Sequence, residues 1–196
     1  MNRFDERSAL VVVDLQNDFA DPSGSLAVAD GAQVVPRINE LVAVATEAGA
    51  LVVATQDWHP AVTPHFEKDG GIWPVHCVGG TWGAELHPAL HLPPDAPRIR
   101  KGTAGEDGYS AFTVRDPASG EETRTELEAL LRQRGVERIV VCGLATDYCV
   151  KETALDGARL GFDVDVVADA VAAVNLRPED GEHAFAEMSE AGVRIS

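Results

Sequence analysis

Arg138-Ile-Val-Val-Cys-Gly-Leu-Ala-Thr-Asp-Tyr-Cys149 decides the fold class. Its first half is a run of apolar and β-branched residues without polar alternation, the pattern of a strand buried on both faces. Its second half turns polar, and the spacing predicts a helix from Thr146 to about Leu160, with Gly161 placed after its end. A doubly buried strand that feeds straight into a helix is the repeating unit of a parallel α/β sheet.

The same pattern recurs outward from that stretch. Ala9-Leu-Val-Val-Val13 runs into Asp14, and Ala50-Leu-Val-Val-Ala54 runs on toward Asp57. Asp163–Ala168 is a strong strand candidate, Arg98–Lys101 a weaker one and Val193–Ile195 a short last one. Helices are expected from about Gly31 to Ala48, with Gly49 ending the first. Another is expected from a capping-box pattern at Thr123-Arg-Thr-Glu126 to Gly135, and a last one after Pro178. Alternation of this kind implies right-handed crossovers. The expected class is α/β: a three-layer α/β/α sandwich around a mostly parallel sheet of about six strands.

A chain of 196 residues fits one domain, 1–196, large enough to bury its own core without disulfides. Sixteen Lys and Arg against 32 Asp and Glu give a net charge of −16, which repels phosphate backbones and anionic lipid. Nucleic acid and membrane are therefore not expected partners, and no stretch approaches a membrane span. The octet Met1–Ser8 has no apolar core of a secretion signal. Three cysteines, Cys77, Cys142 and Cys149, argue against a disulfide framework and for a reducing, cytoplasmic setting. Monomer and homo-oligomer both remain open.

The segment from Asp57 to Pro97 breaks the alternation. It holds seven of the eleven prolines, all three tryptophans and five of the six histidines. A long irregular segment of that composition is a functional loop rather than a tether. Ligands of open parallel sheets bind beyond the carboxyl ends of the strands. Those ends deliver Asp14, Asp57 with His59, Lys101 and Cys149 to one edge.

Each of these residues has chemistry to offer. Thr146 as N-cap would put Cys149 at the third helical position, where free N–H groups lower a thiol pKa and can hold an oxyanion. Cys142, inside the apolar run, is read as packing. Asp14, directly after Val-Val-Val, is a partly desolvated proton acceptor that Lys101 could pair with. Asp57, His59, His65 and His76 form a mixed carboxylate–imidazole set suited to one divalent cation, Zn²⁺, Fe²⁺ or Mn²⁺. His87, His91 and His183 stand apart from it and are read as surface residues. Phe19 and Trp73 could clamp a flat ring.

Asp14-Leu-Gln-Asn-Asp-Phe19, Gln56-Asp-Trp-His59 with His65, Trp73-Pro-Val-His-Cys77, Lys101-Gly102 and Gly143-Leu-Ala-Thr-Asp-Tyr-Cys-Val150 occur in that order. Together they resemble the nicotinamidases, or pyrazinamidases, of the isochorismatase-like cysteine hydrolases. The resemblance implies a metal-dependent amidohydrolase that converts nicotinamide to nicotinate and ammonia in NAD salvage, with pyrazinamide a further substrate. It implies a catalytic triad of Asp14, Lys101 and Cys149, and a cation on Asp57, His59, His65 and His76 that holds the pyridine nitrogen. Phe19 and Trp73 would flank the ring, with Leu26 and Tyr109 nearby. The N–H groups of Ala145 and Cys149 would form the oxyanion hole, beside a non-proline cis peptide between Leu144 and Ala145. Ser23, in Pro22-Ser-Gly-Ser-Leu-Ala-Val28, stands where the family has a glycine. An isochorismatase would lack the cysteine nucleophile, and a non-catalytic metal-binding module would need no triad. Another amidase of the superfamily stays open as an alternative.

Overall fold

The computed structural model describes residues 3–196. Six strands form one all-parallel sheet in the order β3-β2-β1-β6-β7-β8. They are β1 (Ser8–Val13), β2 (Leu51–Asp57), β3 (Arg98–Lys101), β6 (Arg138–Leu144), β7 (Asp163–Ala172) and β8 (Arg194–Ile195). Two further strands, β4 (Thr113–Arg115) and β5 (Glu122–Arg124), make a separate antiparallel hairpin. The helices are α1 (Asn17–Ala20), α2 (Val35–Glu47), α3 (Leu127–Gln133), α4 (Lys151–Arg159) and α5 (Asp180–Glu190).

Strand alternation divides the apolar run of β1 between two cores. Leu10 and Val12 face one side, where Ile38, Leu41, Val42 and Ala45 of α2 cover them. Ala9, Val11 and Val13 face the other, covered by Leu127 and Leu131 of α3, Ala154 and Leu155 of α4 and Met188 of α5. The sheet is therefore the middle of three layers, and every residue of β1 is buried. Burial stabilises by roughly 25 cal/mol per Å² of apolar surface, so strands covered on both faces contribute on each side of the sheet.

Three local expectations need correction. Thr123 and Arg124 belong to β5, so they do not open a helix. Helix α3 starts instead at Leu127 after N-cap Glu126, and the Leu127 N–H donates to Thr125 Oγ1 at 3.2 Å. Residues Thr146–Val150 form a π-helical turn capped by extended Ala145, not by Thr146, and Val150 N–H donates to Ala145 O. Cys149 is thus the fourth residue of that turn rather than the third. Finally, β7 runs four residues past Ala168, with a register shift opposite Val141 and Gly143.

The ends of β1 and β6 meet closely. Gly143, at φ 111°, pairs with Val13, and a Cβ on it would land on the Val13 carbonyl oxygen. Directly beyond, Asp14 takes a left-handed φ of 44°, which turns the chain off the sheet. The absent side chain at Gly143 makes room for that turn.

Candidate active site

Beyond the carboxyl ends of the strands lies a small cleft. Phe19, Leu26, Trp73, Tyr109, Ala145 and Cys149 line it, as do Asp57, His59, His65 and His76. Asp14 and Lys101 lie behind Cys149, fully buried. The structure thus brings every sequence-expected site residue to one place. The peptide between Leu144 and Ala145 is cis. His91 and His183 are exposed and His87 half-buried, apart from the cleft.

Lys101 is the hub of the buried polar group, with its side chain 1% exposed. Its Nζ lies 2.8 Å from Asp14 Oδ2, 2.9 Å from Asp57 Oδ1, 3.0 Å from the Tyr109 carbonyl and 3.5 Å from Cys149 Sγ. Asp14, Asp57 and Cys149 present ligand atoms within 4.8 Å of one another. Thr55, also fully buried, donates its hydroxyl to Asp14 Oδ1 at 2.6 Å and accepts the Asp14 N–H at 3.1 Å. Both carboxylate oxygens of Asp14 therefore have a fixed donor.

One ammonium between two carboxylates sets the protonation pattern. Burial would lower the Lys101 ammonium, but Asp14 and Asp57 outweigh it and hold its pKa well above the ordinary value. Burial lifts the Asp14 carboxyl; Lys101 opposes that rise and Asp57 adds to it, leaving Asp14 above the usual carboxylate range. For Asp57 burial acts upward too, but Lys101, His59 and His76 prevail and hold it at about 2. Asp14 is the member poised to carry a proton.

The expected lowering of the Cys149 pKa is not found. Burial pushes the thiol well up; Lys101 opposes that rise, and Asp14 and Asp57 add to it. The resting group is a thiol that needs a base, and Asp14 is that base's nearest candidate.

The imidazoles of His59, His65 and His76 form a second cluster, with ligand nitrogens all within 4.8 Å of one another. His65 Nδ1 faces Asp107 Oδ1 at 2.9 Å, and His76 Nδ1 donates to the Pro74 carbonyl at 2.7 Å. Each of those contacts leaves Nε2 with its lone pair. Burial lowers the His76 pKa, and it lowers His59 to about 4, so both rings are neutral. Both His59 nitrogens are buried without a hydrogen-bond partner among the described residues. Orphaned buried nitrogens are costly, and a cation would satisfy one of them. Asp57 Oδ2 lies 3.9 Å from His59 Nε2, at the border of the two clusters. This donor set fits a divalent cation. Cys77 is fully buried next to His76 and its thiol is pushed well up by burial, which suits packing.

Sequence reasoning missed several lining groups. Val28, Gly108, Leu144, Tyr148 and Val174 also line the cleft. Tyr148 packs edge-on against Trp73 and Tyr109, with centroids 5.2 and 5.3 Å away, and Trp73 Nε1 donates to the Tyr109 hydroxyl at 3.1 Å. The wall is one interlocked aromatic triad. Tyr148 sits next to Cys149 in sequence, which was the available signal. Tyr109 is desolvated enough to raise its pKa to about 12, so the hydroxyl stays a neutral hydrogen-bonding group.

Comparison with known proteins agrees with this geometry. The sequence pattern of the Isochorismatase domain matches residues 8–196. A nicotinamidase of Escherichia coli is 41% identical over 203 residues, covering 95% of this chain and 93% of the relative. The crystal structure of a pyrazinamidase of Pyrococcus horikoshii in complex with zinc is 43% identical, with a TM-score of 0.87 over 97% of this chain and 98% of that one. The crystal structure of PnC1 from L. infantum in complex with nicotinate has a TM-score of 0.88 at 38% identity, over 97% of this chain and 92% of that one.

Proposed function

The chain belongs to the isochorismatase domain family, and we propose that it is a nicotinamidase: a single hydrolase domain that converts nicotinamide and water to nicotinate and ammonia. The observation that carries this reading is Cys149 beside the buried Lys101–Asp14 pair at the floor of an aromatic cleft bordered by three imidazoles. Similarity to nicotinamidases and a pyrazinamidase supports it, and supports pyrazinamide as a further substrate and NAD salvage as the setting.

In this reading Asp14 takes the thiol proton of Cys149, and the sulfur attacks the amide carbon. The Ala145 and Cys149 N–H groups receive the charge that develops on the oxygen. Asp14 passes its proton to the departing ammonia, leaving a thioester. Asp14 then takes a proton from water, whose oxygen attacks the thioester carbon; the sulfur leaves and recovers the proton from Asp14, and nicotinic acid departs, losing its remaining acid proton to solvent as nicotinate. Lys101 keeps Asp14 oriented and offsets the negative charge that moves between oxygen and sulfur. Phe19, Leu26, Trp73 and Tyr109 hold the ring and exclude water.

Asp57, His59, His65 and His76 would hold one divalent cation, zinc, iron(II) or manganese(II), which supplies a Lewis-acidic point to bind and orient the ring nitrogen. A cytoplasmic setting accords with three free, buried thiols. Among the described residues no helix is long and apolar enough to cross a membrane.

The test is ammonia release from nicotinamide by the wild type and by Cys149→Ala. Loss of release by about 10³-fold or more in the variant, with fold and metal content intact, is the expected result. Equal release by both proteins would overturn the nucleophile assignment.

A further inference from the structure

The segment Asp14-Leu-Gln-Asn-Asp-Phe19 contributes more than a base at one end and a ring contact at the other. Asp18, between them, is buried in the short helix α1. Its Oδ2 accepts the Cys77 N–H at 2.7 Å, and its Oδ1 accepts the Ser25 N–H at 3.0 Å. Its own carbonyl accepts the Leu26 N–H at 3.1 Å.

Each partner leads to a different wall of the cleft. Cys77 follows His76, holds a left-handed φ of 46°, and its carbonyl accepts the His59 N–H at 2.9 Å. The Cys77 unit is therefore fixed to Asp18 on one side and to His59 on the other. Ser25 precedes Leu26, and Phe19 follows Asp18; both Leu26 and Phe19 line the cleft, and the Phe19 ring lies 5.5 Å from that of His76. The space around the carboxylate is reserved: a Cβ on Gly83 would overlap Asp18 Oδ2.

We propose that Asp18 is a positioning residue that fixes the reach between the imidazole cluster and the apolar wall, and so sets both cation affinity and ring binding. The proposal rests on the reading that His59, His65 and His76 bind a divalent cation. A carboxylate can accept from both loops at once, whereas an amide of the same shape has one acceptor oxygen and must release one loop. Groups that orient metal ligands from outside typically change affinity by about 10- to 100-fold when lost.

The experiment uses the full chain, stripped of metal and titrated with zinc against a chromophoric chelator. Wild type, Asp18→Asn and Gly83→Ala are compared, and nicotinamide kinetics are then measured at saturating zinc. The expected result is zinc affinity at least tenfold weaker in both variants. KM should rise at least fivefold, with kcat within about threefold of wild type. A merely structural carboxylate would lower melting temperature and the active fraction, hence kcat, but would leave KM and zinc affinity of the folded protein unchanged. That pattern, or wild-type values throughout, overturns the assignment while leaving the cation reading intact. A wild-type chain that takes up no zinc, iron(II) or manganese(II) overturns the cation reading, and the Asp18 assignment falls with it. Failure of Asp18→Asn to fold even with zinc present also overturns it, because the carboxylate would then be a requirement of the fold.

Discussion

Lys101 Nζ lies 2.9 Å from Asp57 Oδ1, so the ammonium that neighbours the nucleophile also grips the carboxylate at the edge of the imidazole cluster. The two halves of the site share one charge balance. Lys101→Met should remove the ammonium that pairs with two buried carboxylates. Breaking a buried pair in this way costs about 3–5 kcal/mol, readable as a lower urea midpoint. Ammonia release should fall at least 10²-fold, and Lys101→Arg should not restore it, because a planar fork cannot replace a compact ammonium among these acceptors.

The acid limb of the rate profile should report Asp14. It must be ionised to accept the thiol proton, and burial holds its pKa above the ordinary range. Activity should therefore fall as pH drops through a value higher than an exposed aspartate would give. Thr55 donates to Asp14 and favours its ionised form. Thr55→Val should move the limb of kcat/KM to higher pH, and Thr55→Ser should leave it in place. The stability signs are opposite for the two acids. Asp14, raised, contributes at low pH and loses that contribution as pH rises through its folded pKa. Asp57, lowered, contributes near neutrality and loses it as pH falls toward about 2.

Asp107→Ala should weaken the imidazole cluster without touching a sulfur or a ring wall. Asp107 Oδ1 is the 2.9 Å partner of His65 Nδ1 and fixes which nitrogen keeps its lone pair. Elemental analysis after dialysis should show metal content reduced relative to wild type, with affinity about 10- to 100-fold weaker. Chelation of the wild type should raise KM for nicotinamide, and re-addition of a divalent cation should reverse it.

The sheet and the site were legible to different depths, for physical reasons. Val11-Val-Val13 and Ile139-Val-Val141 announce strands because two-sided burial leaves no polar alternation to misread. Asp14, Lys101 and Cys149 could be gathered because each lies at, or within a few residues of, the carboxyl end of a strand of the one parallel sheet. The hairpin of β4 and β5 was illegible because Thr113–Arg115 and Glu122–Arg124 bury no residue fully. The direction of the Cys149 pKa shift depends on burial and on two carboxylates distant in sequence, so local spacing gave the wrong sign. Thr55 and Asp18 look ordinary because their importance lies in bonds to residues distant in sequence, Asp14 at 41 positions from Thr55 and Cys77 at 59 from Asp18.

Gly143→Ala should be among the most damaging small substitutions in the chain. The added methyl would collide with the Val13 carbonyl at the point where Asp14 leaves the sheet. The strain and the displaced strand end together should cost more than about 2 kcal/mol in denaturant unfolding. Activity should drop more than stability alone explains, which kcat measured well below the unfolding transition would show.

Lys101 reaches its partners across long stretches of chain: Asp14 is 87 residues away and Cys149 48. No fragment built from neighbouring segments can assemble that trio. Such distant pairings close late in folding, after the intervening crossovers have docked. Regain of ammonia release on dilution from denaturant should therefore follow completion of the whole sheet, lagging behind the recovery of helical circular dichroism.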